Sequence, residues 1–417
     1  MGTPAFRRLA DGRARDSSLR WWTPRGPRTG NAMKHDRWSR RQFLKTSAAA
    51  GLGLAGTALA GPARASAATS RARTVAPATA TAKLGVFAEP NGTTENSYLD
   101  AFRNFESEIG RGVSVYRTYR SWGQRIFNSA INNILDPSKS QYAPPELYIS
   151  FHPYLTKKGT QCLSWAQVAS GCEDAVIDAW VPQLNQLLDM SGHAYVAFHH
   201  EMEKKEGTPP SGCGVIGNHC GTPDDFKEAY WYFRQRIQDG LQSGYGWDPS
   251  SITWVVTFMG DTFRGQHGGP DTWWPSSSDP TYPSDVADDH LVGVDLYNRY
   301  RCHNKSWFGF DYLTGLLGGK HVQQVQAYAA SKGRNLFIGE CGTVEGDECN
   351  GSLPHGTAKA QWYTGDPIHS ALSVMQGWDN LEAFCYSQIV GQGNYRIDTS
   401  PQALASFVTL ANDPLFS

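Results

Sequence analysis

Two glutamates stand where a folded chain could carry out acid–base chemistry. Glu201 follows the apolar run His193-Ala-Tyr-Val-Ala-Phe198 through His199-His200, and Glu340 follows Asn335-Leu-Phe-Ile-Gly339 directly. Two carboxyl groups brought to about 5–5.5 Å can cleave a glycosidic bond with retention, one protonating the leaving oxygen while the other attacks the anomeric carbon. Carboxyls that close do not both ionise easily, so burial and the neighbouring charge hold one of them protonated. A single Glu after an apolar run is usually a solvated loop acid. Two at matching places in the pattern favour the paired reading.

Other residues near the ends of apolar runs fit around such a pair. Tyr297 closes Val294-Asp-Leu-Tyr297; a phenol beside Glu340 would donate to its carboxylate and keep it ionised, although a core or rim tyrosine is an equal alternative. Arg117, Tyr119, Arg120 and Trp122 lie at or after the second run, where an arginine reaches a carboxylate or a sugar hydroxyl. For Arg120 a surface salt bridge is the plainer expectation. His152 closes Ile149-Ser-Phe-His152, and a lone histidine there is more often structural. Trp273-Trp274-Pro275 falls in a long polar segment, Gly260 to Asp289, where the rings suit either a sugar face or plain packing.

The elements that must position these groups are legible as alternation. Eight apolar runs, Leu84–Phe87, Val113–Arg117, Leu147–Phe151, His193–Phe198, Ile252–Phe258, Leu291–Tyr297, Leu336–Ile338 and Leu381–Tyr386, are separated by amphipathic stretches. Several runs lack strict alternation, as parallel strands buried on both faces do. Ala175–Met190 and Phe226–Leu241 carry apolar residues at helical spacing, the second opened by Thr222-Pro223-Asp224-Asp225, and His321–Ser331 and Pro401–Asn412 read as two more helices. The order predicts an α/β fold of the (β/α)8 TIM-barrel class, with a doubly wound open sheet as the alternative. In a barrel the reacting groups sit at the C-terminal strand ends; Glu201 and Glu340 follow the fourth and seventh strands.

The runs Phe198-His-His-Glu-Met202 and Phe337-Ile-Gly-Glu-Cys-Gly342 resemble the acid/base and nucleophile strands of glycoside hydrolase family 26. That family belongs to the barrel clan whose acid/base follows strand 4 and whose nucleophile follows strand 7. The resemblance runs from about Lys83 onward and implies that Glu201 is the acid/base, Glu340 the nucleophile and His200 a sugar-contacting neighbour. It matches Tyr297 to the tyrosine that bonds the nucleophile, and His152 to a histidine near the cleaved sugar. Mannanases of the family usually continue after His-Glu-Met with Asn-Gly and a Trp-rich stretch; here the chain reads Glu203-Lys-Lys-Glu-Gly-Thr-Pro-Pro. Where a Trp commonly follows strand 8, Tyr386 stands instead. The implied substrate is a β-linked polysaccharide, with β-mannan, mixed-linkage β-glucan and β-xylan all open. Arg117, Trp122, Trp273 and Trp274 complete the candidate sugar contacts. Neither a metal nor a cofactor is expected. A non-catalytic sugar-binding barrel, or a hydrolase of another glycoside or cell-wall polymer, is the competing class.

Other chemistries are disfavoured. Gly212-Cys-Gly-Val-Ile-Gly217 has the G-x-G-x-x-G spacing but follows Pro209-Pro210 rather than a strand. His200-Glu201-x-x-Lys204 lacks the second histidine of H-E-x-x-H, and neither G-x-S-x-G nor G-x-x-x-x-G-K-[ST] is present. Residues 1–80 are expected to be an export segment. Ser39-Arg-Arg-Gln-Phe-Leu-Lys45 resembles a twin-arginine signal, the run Ala48–Ala60 is too short for a span, and Ala65-Ser-Ala67 suits cleavage. Residues 81–417 then form one catalytic domain, expected to be secreted and monomeric with no membrane attachment. Through Ala67 there are 13 basic and 3 acidic residues, leaving 25 against 36 and a formal charge of −11, a poor match for nucleic acid. Eight cysteines accord with export. By proximity they group as Cys162 with Cys172, Cys213 with Cys220 and Cys341 with Cys349, leaving Cys302 and Cys385, although spacing does not settle connectivity.

Overall fold

The computed structural model describes residues 81–416 apart from 155–160, 280–281, 283–288, 299–309, 311–320, 346–353 and 392. The expected export segment lies outside the described residues. Eight parallel strands close a barrel: β1 Lys83–Ala88, β2 Val115–Ser121, β3 Glu146–His152, β4 Ala194–Phe198, β5 Ile252–Met259, β6 Leu291–Asn298, β7 Leu336–Thr343 and β8 Leu381–Gln388. Each strand pairs with its sequence neighbours, and β1 closes the ring on β8. The open-sheet alternative is thereby excluded.

Alternation along each strand sorts side chains into two cores. Val115, Tyr148, Tyr195, Ala197, Val255, Phe337 and Ala383 fill the barrel interior, while residues of the opposite phase, such as Tyr116, Ile149, Val196 and Ile338, join the larger cluster under the helices. The helix Pro223–Tyr245 shows how that outer layer forms. Thr222 and Asp225 make a reciprocal capping box, Pro223 occupies the first turn, and Gly246 (φ 77°) ends the helix in the left-handed region. Phe226, Tyr230, Phe233, Ile237 and Leu241 are its buried stripe, and Phe233 stacks on Phe198 of β4 at 5.0 Å.

One irregularity matters for the site. Val294 of β6 pairs with Ile338 of β7, yet Asp295 pairs with Glu340, so Gly339 is an extra residue in β7. Such a bulge resets the alternation: Phe337 faces the interior, Cys341 joins the outer core, and Glu340 turns inward.

The disulfides differ from the pairs suggested by proximity. Cys162 bonds to Cys220 and Cys172 to Cys213. The reason is local pairing: Cys162–Leu163, after β3, runs antiparallel to Ile216–Gly217, after β4, which brings the two loops together. Both bridges therefore tie the β3 loop to the β4 loop, beside the Glu201 strand end. Cys341 and Cys385 are buried in β7 and β8; their suggested partners Cys349 and Cys302 lie outside the described residues. No helix among the described residues is long and apolar enough to cross a membrane.

Candidate active site

Period-two geometry delivers the polar groups to the C-terminal mouth of the barrel. On β2, Arg117 and Tyr119 share the interior face. On β6, Asp295 and Tyr297 do the same, and the β7 bulge adds Glu340. Arg117 is fully buried; its guanidinium lies 4.4 Å over the Tyr148 ring below it. Above that ring, Nη2 donates to Glu340 Oε1 at 3.0 Å and approaches Asp295 Oδ2 at 3.4 Å. The close approach requires the glycine at 339. A Cβ there would sit 2.5 Å from Arg117 Nη1 and 2.8 Å from Asp295 Oδ1.

Glu340 is held as an anion. Tyr119 donates its hydroxyl to Oε1, and Tyr297 donates to Oε2 at 2.5 Å while contacting Ser387 Oγ at 2.9 Å. Burial alone would raise the carboxyl pKa. The Arg117 charge and the two phenol hydrogen bonds outweigh it, and Glu340 ends below the ordinary range.

Glu201 is held differently. The chain leaves β4 through two residues in the left-handed region, His199 at φ 53° and Glu201 at φ 51°. For non-glycine residues this conformation costs about 1–3 kcal/mol each and clusters at functional sites. Neighbouring strands pin the turn: His199 N donates to Phe151 O at 2.7 Å and Glu201 N to Thr257 O at 2.8 Å. Below it, buried Glu203 accepts from Thr262 Oγ1 at 2.6 Å and Met259 N at 3.2 Å. Lys204 Nζ contacts the Glu201 carboxylate. Desolvation raises the Glu201 pKa, Lys204 opposes that rise, and the Glu340 charge adds to it; the net shift is upward. The two glutamates are thus displaced in opposite directions.

Histidines and a third acid complete the site. His200 Nε2 stands 3.7 Å from Glu340 Oε1, and His152 packs edge-on against His200 at 4.2 Å. Burial lowers the pKa of both, His152 to about 3, so each ring is neutral. His199 is structural, bonded to Trp165 Nε1 and the Tyr154 hydroxyl at 2.9 Å each. Asp295 is buried, and desolvation pushes its carboxyl well above the usual range against the pull of Arg117. His200, Glu201 and Asp295 bring one potential ligand atom each within 4.8 Å of one another. Arg117 and Lys204 already supply two positive charges there, so the group suits proton-bearing carboxyls better than a cation.

Of the residues singled out from sequence, Glu201, Glu340, His200, His152, Tyr297 and Arg117 come together here. Four others do not. Trp122 is buried among Trp180, Phe198 and Phe233, its Nε1 donating to Glu173. Trp273 and Trp274 are buried against Trp165, Phe226, Phe258 and His290. Tyr386 faces the outer core, where its hydroxyl donates to Tyr395 O. In each case a large apolar ring fills the space between barrel and helices. Arg120 makes no surface salt bridge; it is buried and donates to Ile126 O at 2.7 Å. Tyr119, named from sequence beside the β2 arginines but given no role, belongs to the site, as do Asp295 and Lys204, which were not picked out as candidates. The available signal was period two, since Tyr119 and Asp295 lie two residues from Arg117 and Tyr297.

No protein-family model matches the sequence, and a search of curated proteins gives no match. Solved structures do resemble it. The glycoside hydrolase family 26 domain of an endo-β-mannanase/endo-β-glucanase from Prevotella bryantii aligns at 12% identity and TM-score 0.43, over 81% of this chain and 90% of that one. A family 26 β-mannanase from Bacteroides ovatus aligns at 12% identity and TM-score 0.44, over 81% and 88%. A modular endo-β-1,4-mannanase from Cellulomonas fimi aligns at 15% identity and TM-score 0.46, over 81% and 72%. At these identities and TM-scores the alignments record a resemblance only, and the barrel rests on this chain's own strand pairing.

Proposed function

We propose that this chain is an exported retaining glycoside hydrolase acting on a β-linked polysaccharide, with Glu340 as nucleophile and Glu201 as acid/base. One observation carries the reading: two carboxyls at the mouth of one barrel have pKa values displaced in opposite directions, as an acid and a nucleophile require. Glu340 attacks the anomeric carbon as an anion while Glu201 gives its proton to the bridging oxygen. The glycosyl–Glu340 ester is then opened by water, from which Glu201 removes a proton. Tyr297, Tyr119 and Arg117 hold the nucleophile, and neutral His200, backed by His152, presents its Nε2 beside Glu340 to a sugar hydroxyl. Export rests on the twin-arginine pattern, and the two disulfides accord with an oxidising compartment.

The test is to follow the anomer first released from β-mannan, mixed-linkage β-glucan and β-xylan by proton magnetic resonance, with wild type and Glu340→Ala in parallel. A β-anomer as first product, lost in the variant, is expected. An α-anomer as first product would overturn the double-displacement reading.

A further inference from the structure

The β4 loop places two lysines where a sugar groove would ordinarily offer aromatic rings. Lys204 and Lys205 end the short helix Met202–Lys205, whose base is fixed by buried Met202 and by the hydrogen bonds of Glu203. The Lys204 side chain is 49% exposed and its ammonium contacts the Glu201 carboxylate. The Lys205 ammonium lies 5.1 Å from the centre of the Tyr154 ring. No tryptophan among the described residues is exposed, and the aromatic residues nearest in sequence to the expected subsites are packed in the core.

The contact between Lys204 and Glu201 works against the acid role. An ammonium on a carboxyl favours its ionised form, whereas the carboxyl that protonates a leaving oxygen must arrive carrying its proton. The conflict disappears if the substrate brings its own anion. A negative group on the leaving sugar would draw the ammonium away, and Glu201, relieved of that opposing charge, would hold its proton to higher pH. Since Glu201 must touch the bridging oxygen, a cation bonded to it stands within about one sugar of the bond to be cut. The body of the protein is acidic, so this attraction is local to the site rather than a long-range field.

Resting on the glycosidase reading above, we propose that Lys204 is the receptor for an anionic substituent, carboxylate or sulfate, on the leaving-group sugar, and that the substrate is an acidic β-glycan. Binding then does two things with one contact: it anchors the sugar and releases the general acid. Specificity of this kind is strongest where the cation is otherwise paired only within the protein, because a neutral sugar must leave that ion pair intact.

The test is calorimetric binding to full-length Glu340→Ala, so that no oligosaccharide is consumed. Probes are β-1,4-linked manno- and gluco-oligosaccharides, each neutral, oxidised to the uronic acid at C6, or sulfated at C6. A charge-assisted contact should make an anionic member bind at least about tenfold tighter than its neutral partner. That advantage should fall to about threefold or less when Lys204→Met is added, and persist with Lys204→Arg. The carboxylated and sulfated arms tell the two anions apart. Neutral probes binding as tightly as anionic ones, an anionic advantage that survives Lys204→Met, or no binding of any anionic probe would each overturn the proposal. Turnover by wild type separates it from the glycosidase reading. Cleavage without charge preference leaves that reading standing alone, whereas Lys204-dependent anion binding without cleavage leaves only the site.

Discussion

Arg117 Nη2 lies 3.0 Å from Glu340 Oε1, although 223 residues separate the two in the chain. The guanidinium is buried on the Tyr148 ring, and it shares Nη2 between Glu340 and Asp295. One buried positive charge thus serves two carboxyls, and the rest of the site is arranged around that imbalance: Glu340 is held below the ordinary carboxyl range and Asp295 is pushed above it.

Removing Arg117 is therefore expected to do more than weaken a contact. Arg117→Met leaves Glu340 without its strongest stabiliser, so its pKa rises and the acidic limb of activity moves to higher pH. Breaking one side of a buried pair typically costs about 3–5 kcal/mol. Thermal unfolding should report a lower Tm alongside the shifted limb; an unmoved limb would show that Arg117 does not set the charge on Glu340.

The phenols act in the same direction with less force. Tyr119→Phe and Tyr297→Phe each delete a donor to Glu340. Each should lower kcat by about one to two orders of magnitude, in keeping with loss of a charge-assisted hydrogen bond. Each should also move the acidic limb upward, and the double variant should move it further. Rates measured from pH 3 to 8 decide the matter.

For the wild type, activity should be bell-shaped. The acidic limb reports protonation of Glu340, below the ordinary carboxyl range, and the basic limb reports ionisation of Glu201, above it. Lys204 lowers the Glu201 pKa, so Lys204→Met should carry the basic limb to higher pH. A basic limb that stays in place, or moves down, would assign the proton to another group.

Gly339→Ala is expected to damage the site while sparing the barrel. The added methyl would lie 2.5 Å from Arg117 Nη1, and a guanidinium buried between a ring and two carboxyls has little room to yield. We expect at least about a hundredfold fall in kcat/KM, the order seen for displacements near 1 Å in a catalytic group. Near-wild-type activity would show that the strand accommodates the methyl.

Glu203 predicts a pH-dependent stability. Burial raises its carboxyl to about 8 in the folded protein, against 4.5 unperturbed. Between those values the folded state holds a proton that the unfolded state has released, so this contribution is fully present below about pH 4.5 and declines as pH rises toward 8. Glu203→Gln, which cannot ionise, should raise Tm relative to wild type at pH 8 and not at pH 4. An equal difference at both values would mean that Glu203 is not protonated in the fold.

The boundary between what sequence and tertiary structure each decided runs through β7. Sequence alone pointed to a parallel α/β fold, because eight apolar runs separated by amphipathic helices leave few ways to bury both faces of each strand; closure of the ring, β1 on β8, decided for the barrel over an open sheet. It also marked Glu201, Glu340, Tyr297, His152 and His200, since each falls at a strand end. It misjudged Trp122, Trp273, Trp274 and Tyr386, because an aromatic near a strand end packs outward as readily as inward, and composition carries no direction. It also could not order the cysteines, whose pairing follows from two loops meeting in space. Nor did it carry the orientation of Glu340. Strict alternation from inward-facing Phe337 would send residue 340 out of the barrel. The extra residue at Gly339 turns it in, and that bulge arises from pairing with β6 and β8, partners distant in sequence whose register forms only when the ring closes.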